Sequence, residues 1–150
     1  MLAVAVVARP GAPQAGPPAT PLYDEKADAQ KLINAAITKA GRSHKNIVLD
    51  FGANWCFDCH VLDAEMRKPE LASLIEKNYI VVHVDVGRFD KNLDIARKYG
   101  VPLKKGIPAL AVLDPHGKPL YAQEQGQFED ARHIEDGSFK AFFEQWKPKG

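Results

Sequence analysis

Two thiols three residues apart dominate the chemistry open to this chain. Cys56 and Cys59 are its only cysteines, and they lie in the stretch Asp50-Phe51-Gly52-Ala53-Asn54-Trp55-Cys56-Phe57-Asp58-Cys59-His60. This stretch follows an apolar run and precedes a segment predicted to be helical. A thiol at that junction sits over unpaired backbone N–H groups and the positive end of a helix dipole, which stabilise a thiolate and lower its pKa. Cys56 is therefore the expected nucleophile. Cys59, one turn further on and on the same face, can bridge to Cys56 but is shielded by the first turn, which makes it the expected resolving thiol. Such a pair exchanges disulfides. The Cys56 thiolate attacks a substrate disulfide, a mixed disulfide forms, and Cys59 then attacks the Cys56 sulfur, releasing reduced substrate and leaving an internal bridge. Run backwards, the same site oxidises dithiols.

Neighbouring charges bias the direction. Asp58, between the cysteines, is expected to raise the Cys56 pKa and to favour electron donation, and a protonated His60 would oppose it. Asp50 interrupts an otherwise apolar strand. A carboxyl buried there has a raised pKa and can accept a proton from Cys59 near neutral pH; the alternative is an acid at a strand end that simply reaches water or a backbone donor.

The elements that position these residues can be read from periodicity. Ala29, Leu32, Ile33, Ala36, Ile37 and Ala40 recur at helical spacing, with Asp24 and Glu25 expected in the first turn and Gly41 as the closing residue. Ile47 to Phe51 and Tyr79 to Val86 read as buried strands. Between them a helix begins near Cys56, and Pro69 breaks the chain into a second helix carrying Leu71, Leu74 and Ile75. Asp90 is the expected cap of a helix through Leu93, Ala96 and Tyr99 that stops at Gly100. Ala109 to Leu113 is a strand, Asp114-Pro115-His116-Gly117 a turn, and Leu120 to Ala122 an edge strand. Ser138 is the expected cap of a last helix whose Phe139, Phe142, Phe143 and Trp146 follow the i, i+3, i+4, i+7 rule and read as packing residues. Strands alternating with helices imply parallel pairing through helical crossovers, and the closing hairpin adds an antiparallel edge. The fold class is α/β: a mixed central sheet with helices on both faces.

Composition narrows the field. The chain has 150 residues, 45% hydrophobic and 26% charged, the mixture of one domain with a real core. A formal charge of +1 is too balanced for the electrostatic footprint of nucleic-acid binding. No apolar run approaches the roughly 20 residues that span a bilayer. Leu2 to Ala8 has the length of a minimal signal-peptide core, with small residues suited to cleavage after Ala8, although no Lys or Arg precedes it. It is read as an export signal, the alternative being a disordered tail. Residues 9–22, dense in Pro, Gly and Ala, are read as a linker. This leaves residues 1–22 as an N-terminal segment and 23–150 as the folded domain.

The apolar strand, the run Trp55-Cys56-Phe57-Asp58-Cys59 and the later Gly106-Ile107-Pro108 ahead of a strand together resemble the thioredoxin superfamily over most of residues 46–147. The longer helix to Met66, the Lys68-Pro69-Glu70 break and Val84-Asp85-Val86 are most similar to the C-terminal thioredoxin-like domain of the bacterial disulfide reductase DsbD and its stand-alone relatives. The resemblance implies a thioredoxin-like fold and a thiol–disulfide oxidoreductase that reduces or isomerises protein disulfides. It implies that Pro108 is a cis-proline beside the dithiol, that the Ile107 backbone pairs with substrate, that Asp50 assists proton transfer behind Cys59, and that Trp55 shields the edge of the site. Phe57 joins Trp55, Ile107 and Pro108 in the expected substrate surface. No cofactor beyond the dithiol is implied, and the chain would be a monomer, periplasmic or otherwise exported with a cytoplasmic location as the alternative, recharged by an upstream thiol electron donor. It departs from thioredoxin proper in having Phe57-Asp58 where that protein has Gly-Pro, in His60 where a Lys is usual, and in a longer Val101 to Gly106 segment.

Two other chemistries fit parts of the pattern. Cys56-Phe57-Asp58-Cys59-His60 matches the attachment motif of c-type haem, with His60 as axial ligand; against it stand the preceding strand and the closeness of Met66. A non-enzymatic adaptor that uses the same cleft for binding alone is the other. A structural zinc site needs four ligands and only one Cys pair exists, while His44, His83, His116 and His133 are scattered without ligand spacing, so they read as surface or packing residues. Arg88, Lys91, Arg97, Lys98, Lys104 and Lys105 read as a solvated face, with Lys104 and Lys105 placed to favour acidic partners. Glu124, Glu129, Asp130, Glu135 and Asp136 read as an exposed loop.

Overall fold

The computed structural model describes residues 21–150. The expected export signal at residues 2–8, and the linker but for its last two residues, lie outside the described part. Helix α1 (Ala29–Ser43) leads into β1 (Asn46–Gly52), followed by α2 (Phe57–Met66), α3 (Pro69–Asn78), β2 (Tyr79–Asp85), α4 (Leu93–Lys98), β3 (Ala109–Leu113), β4 (Pro119–Ala122) and α5 (Asp136–Gln145). Two 3₁₀ turns, Leu103–Lys105 and Ala131–His133, interrupt the connections.

The sheet order is β2-β1-β3-β4. Among the described residues parallel pairing is confined to β1 and β2; β3 runs antiparallel to β1, and β4 antiparallel to β3. The expectation of parallel crossovers therefore holds for one connection, while the long segment after β2 turns the chain round before β3. Because side chains alternate across a strand, Ile47, Leu49 and Phe51 face a layer built on Ile33 and Ala36 of α1 and Ile95 of α4. Val48, Leu110 and Val112 face a second layer built on Leu62, Leu71, Phe139 and Phe143 from α2, α3 and α5. Helices thus cover both faces.

Helix boundaries depart from the sequence reading at four caps. Asp28, not the upstream acids, caps α1, its side chain accepting from Lys31 N; Asp24 instead closes a separate turn onto Lys26. The helix runs through Gly41 to Ser43, and a left-handed His44 (φ 55°) takes the closing position. Before α4, Asp90 is consumed by the turn after β2, where its carboxylate accepts from Arg88 N, and a left-handed Asn92 takes the cap position. Helix α5 starts two residues before Ser138, behind Glu135. By contrast Pro69 stands at the first position of α3, where its missing N–H costs nothing, and Gly100 follows α4 with φ +76°.

Candidate active site

Cys56 is the N-cap of α2, its Sγ accepting from Cys59 N at 3.1 Å. The chain reaches this point directly from β1 through Ala53-Asn54-Trp55, so the sulfur lies over the free N–H groups of the first helical turn. Cys56 and Cys59 are joined as a disulfide with Cα atoms 5.3 Å apart. Cys56 keeps 5% of its surface exposed and Cys59 none, which is the asymmetry expected of an attacking and a resolving thiol. Cys56 Sγ lies 3.7 Å from the carbonyl oxygen of Ile107, and the Ile107–Pro108 peptide bond is cis. Gln123 holds this segment from behind: its Nε2 donates to Pro108 O and its Oε1 accepts from Leu110 N.

Two exposed aromatic residues flank Cys56 in the chain. Phe57 is 63% and Trp55 47% exposed. Trp55 Nε1 donates to Gly87 O at 2.8 Å, and its ring packs edge-on against Phe89 with the Arg88 guanidinium above it. Past Gly106 an open groove of about 700 Å³ is lined by Phe89, Leu93, Ala96, Val101, Pro102 and Leu103, with Arg97 and Lys104. Lys104 and Lys105 occupy an exposed 3₁₀ turn just ahead of Ile107.

Behind Cys59 the sheet carries a buried polar cluster. Asp50 is fully buried, and it reaches neither water nor a backbone donor. Its Oδ1 accepts from the Tyr23 hydroxyl at 3.0 Å, and its Oδ2 lies 3.0 Å from His83 Nδ1. Burial would lower the His83 pKa, but the hydrogen bond and charge of Asp50 outweigh it and hold the imidazole above its ordinary value of 6.5. Burial first, then the Asp50 charge and hydrogen bond, raise the Tyr23 phenol well above its usual value. Tyr23 is fixed by Asn54, which bonds its backbone N–H and C=O reciprocally at 2.9 and 2.8 Å. Gly52 makes room for this arrangement: a Cβ there would overlap the Tyr23 ring and hydroxyl and come within 2.8 Å of Cys59 Sγ. The phenol therefore borders the space that holds both the resolving sulfur and the acid.

His83, expected as a surface or packing residue, is instead a partner of Asp50. Its signal was present, since it breaks the apolar run of β2 as Asp50 breaks that of β1. Tyr23, at the edge of the expected domain, gave no such signal.

Asp58 is not a free charge. Its Oδ1 accepts from Arg132 N at 3.1 Å and its Oδ2 from the Arg132 guanidinium at 3.2 Å, while the guanidinium carbon stands 5.2 Å from the Phe57 ring centroid. The acidic stretch read as a plain exposed loop is anchored by buried Gln123, Phe128 and Ala131, although Glu124, Glu129, Asp130 and Glu135 are themselves exposed. His60 Nε2 donates to Asn54 O at 2.7 Å. That nitrogen is the one a haem iron would need, and the two sulfurs are bonded to each other. Among the described residues no group of His, Cys, Asp or Glu is assembled to hold a metal ion, and no helix is long and apolar enough to cross a membrane.

A strand–CxxC–helix unit with the second thiol sealed, facing a proline-preceded strand, defines a thioredoxin-like dithiol site. A family model described as thioredoxin-like matches residues 28–115, and the chain belongs to that family. It is similar to the structure described as a disulphide isomerase from Xylella fastidiosa Temecula1, with 40% identity, a TM-score of 0.80, and coverage of 85% of this chain and 97% of that one. The C-terminal domain of DsbD from Neisseria meningitidis, in its reduced form, shares the fold at 23% identity and a TM-score of 0.56, covering 81% of this chain and 98% of that one. A thioredoxin from Buchnera aphidicola is 35% identical over 68 residues, 45% of this chain. That match spans about half the length of the relative, 55%.

Proposed function

We propose that this chain is a protein thiol–disulfide oxidoreductase that reduces or isomerises disulfides through Cys56 and Cys59. The observation that carries the reading is the placement of Cys56 Sγ as the cap of α2, beside Ile107 O and in the more exposed of the two cysteines, with Cys59 sealed one turn behind. In the reducing direction the Cys56 thiolate attacks one sulfur of a substrate disulfide; the other sulfur leaves as a thiolate and takes a proton from water. Cys59 gives its proton to Asp50 and attacks Cys56 Sγ. The second substrate sulfur departs, so two electrons pass to the substrate and the Cys56–Cys59 bond remains. An upstream dithiol restores the reduced pair by the same exchange.

Trp55, Phe57, Ile107 and Pro108 form the substrate face in this reading. The adjoining groove receives an apolar side chain of the substrate, and Lys104 and Lys105 favour acidic residues near its disulfide. The relatives described as a disulphide isomerase and a thioredoxin support the chemistry, and the likeness to DsbD supports the fold. We further propose that the protein acts as an exported monomer, with Leu2 to Ala8 as its signal.

The test is insulin reduction and refolding of scrambled ribonuclease by the purified protein, beside its equilibrium with glutathione. Reductase or isomerase activity lost in Cys56→Ser, with Cys59→Ser trapping a mixed disulfide, is the expected outcome. Absence of both activities in the wild-type protein would favour the adaptor reading instead, and a potential near that of a strong oxidant would reverse the proposed direction. Export is checked by the N-terminal sequence and cell fraction of the mature protein.

A further inference from the structure

The side chain between two cysteines of such a site is the nearest one that can alter the nucleophile's charge balance. An unpaired carboxylate at Asp58, two residues from Cys56 in the first turn of α2, would destabilise the Cys56 thiolate and hence the reduced state. The structure removes that isolation. Arg132 meets both Asp58 oxygens, one through its backbone N–H and one through its guanidinium, and the same guanidinium covers the ring of Phe57. One residue therefore grips both side chains between the cysteines. The grip is built in: buried Ala131 and Phe128 fix the turn against the α2 side of the sheet, and Asp130 Oδ1, 3.7 Å from Arg132 Nε, holds the guanidinium from its other edge. Arg132 also lies outside residues 28–115, the part matched by the family model.

We infer that Arg132 is a positioning residue that sets the reduction potential of the Cys56–Cys59 pair by cancelling the charge of Asp58 and holding Phe57 in place. The inference rests on the exchange activity proposed above. It makes a prediction that a merely supporting loop would not. Arg132→Met keeps the backbone donor and an apolar stem over Phe57 but leaves Asp58 uncompensated, so the thiolate loses stability and the disulfide is favoured. Asp58→Asn leaves the guanidinium with only its longer contact to Asp130 and shifts the balance the other way. Removing both restores a neutral pair.

The experiment is the equilibrium of the full-length protein against defined glutathione buffers, with thiolate absorbance followed across pH, for wild type, Arg132→Met, Asp58→Asn and the double variant. Arg132→Met is expected to favour the disulfide by roughly three- to tenfold, about 15 to 30 mV more reducing, with a raised Cys56 pKa. Asp58→Asn is expected to move both readouts in the opposite direction, and the double variant to lie within about twofold of wild type. The inference is overturned if the single variants shift the equilibrium the same way, if the Arg132→Met shift persists in the double variant, or if that shift is below about twofold. If wild type itself fails to exchange with glutathione, the proposed activity falls, and this inference with it.

Discussion

Asp50 and His83 are register partners across the parallel β1–β2 pair, and their side chains meet with Nδ1 3.0 Å from Oδ2. Each interrupts an apolar strand, and together they satisfy what neither could alone. A buried carboxylate without partners would cost several kcal/mol. Here one oxygen faces the imidazole and the other takes the Tyr23 hydroxyl, so the acid is held behind the dithiol without contact with bulk water.

Stability should decline as pH rises through the His83 pKa. Burial opposes the charged ring, but the Asp50 hydrogen bond and charge win, so the folded pKa lies above the ordinary 6.5. Protons bind more tightly in the folded state, and the stabilisation is complete below 6.5 and lost as pH climbs through the folded value. Urea midpoints measured upward from about pH 6 should show this decline in wild type, and His83→Gln should flatten it. An imidazole NMR titration with its midpoint below 6.5 would refute the assignment.

If Asp50 accepts the Cys59 proton, Asp50→Asn should slow the resolving step and spare the first attack. General-base contributions suggest a loss of roughly 10²-fold in the decay of a preformed mixed disulfide at Cys56. Tyr23→Phe, which removes the hydroxyl from Asp50 but leaves the acid, should have a smaller effect of the same kind. Stopped-flow measurement of the two steps separates them, and equal slowing of both would argue for general damage to the site.

What the residue pattern revealed was local. The dithiol at a helix start, the Pro69 break and the short apolar runs of β1 and β3 all depend on neighbours within a turn or two. The contacts that shape the site are not local: Tyr23 meets Asp50 across 27 residues and Arg132 meets Asp58 across 74. Asp58 read alone is a bare charge, and only the returning 3₁₀ turn shows otherwise. Helix ends likewise follow context over residue type: Gly41 and Ser138 have the right chemistry to end or begin a helix, but α1 runs on to Ser43 and α5 begins at Asp136. His83 was the one distant partner that could have been found, by noting that two apolar strands carried one polar break each.

Reversing charge at Lys104 and Lys105 should alter the rate of substrate encounter more than the chemistry. Both lysines are exposed on the turn leading to Ile107, so their field acts through water and is screened by salt. Lys104→Glu with Lys105→Glu should slow reaction with a disulfide peptide bearing acidic flanks by about tenfold at low ionic strength. The difference should vanish near 1 M salt, where the Debye length is about 3 Å. A deficit unchanged by salt would place the lysines' role in direct contact instead.

Gly52 ends β1 at the one point where strand, Tyr23 and Cys59 converge. An added Cβ would overlap the Tyr23 hydroxyl, lie 2.5 Å from its Cζ and stand 2.8 Å from Cys59 Sγ. Neither neighbour can yield easily, since Tyr23 is tied to Asn54 and Asp50 and Cys59 is fixed in the first turn of α2 by its bond to Cys56. Gly52→Ala should therefore cost about 1–3 kcal/mol by overpacking, and should slow the resolving step by displacing the phenol from Asp50. In a Tyr23→Ala background the main overlap is gone, so the same substitution should cost clearly less there. Denaturant midpoints for the four proteins of that cycle decide the matter: an equal cost in both backgrounds would show that Tyr23 is not what Gly52 accommodates.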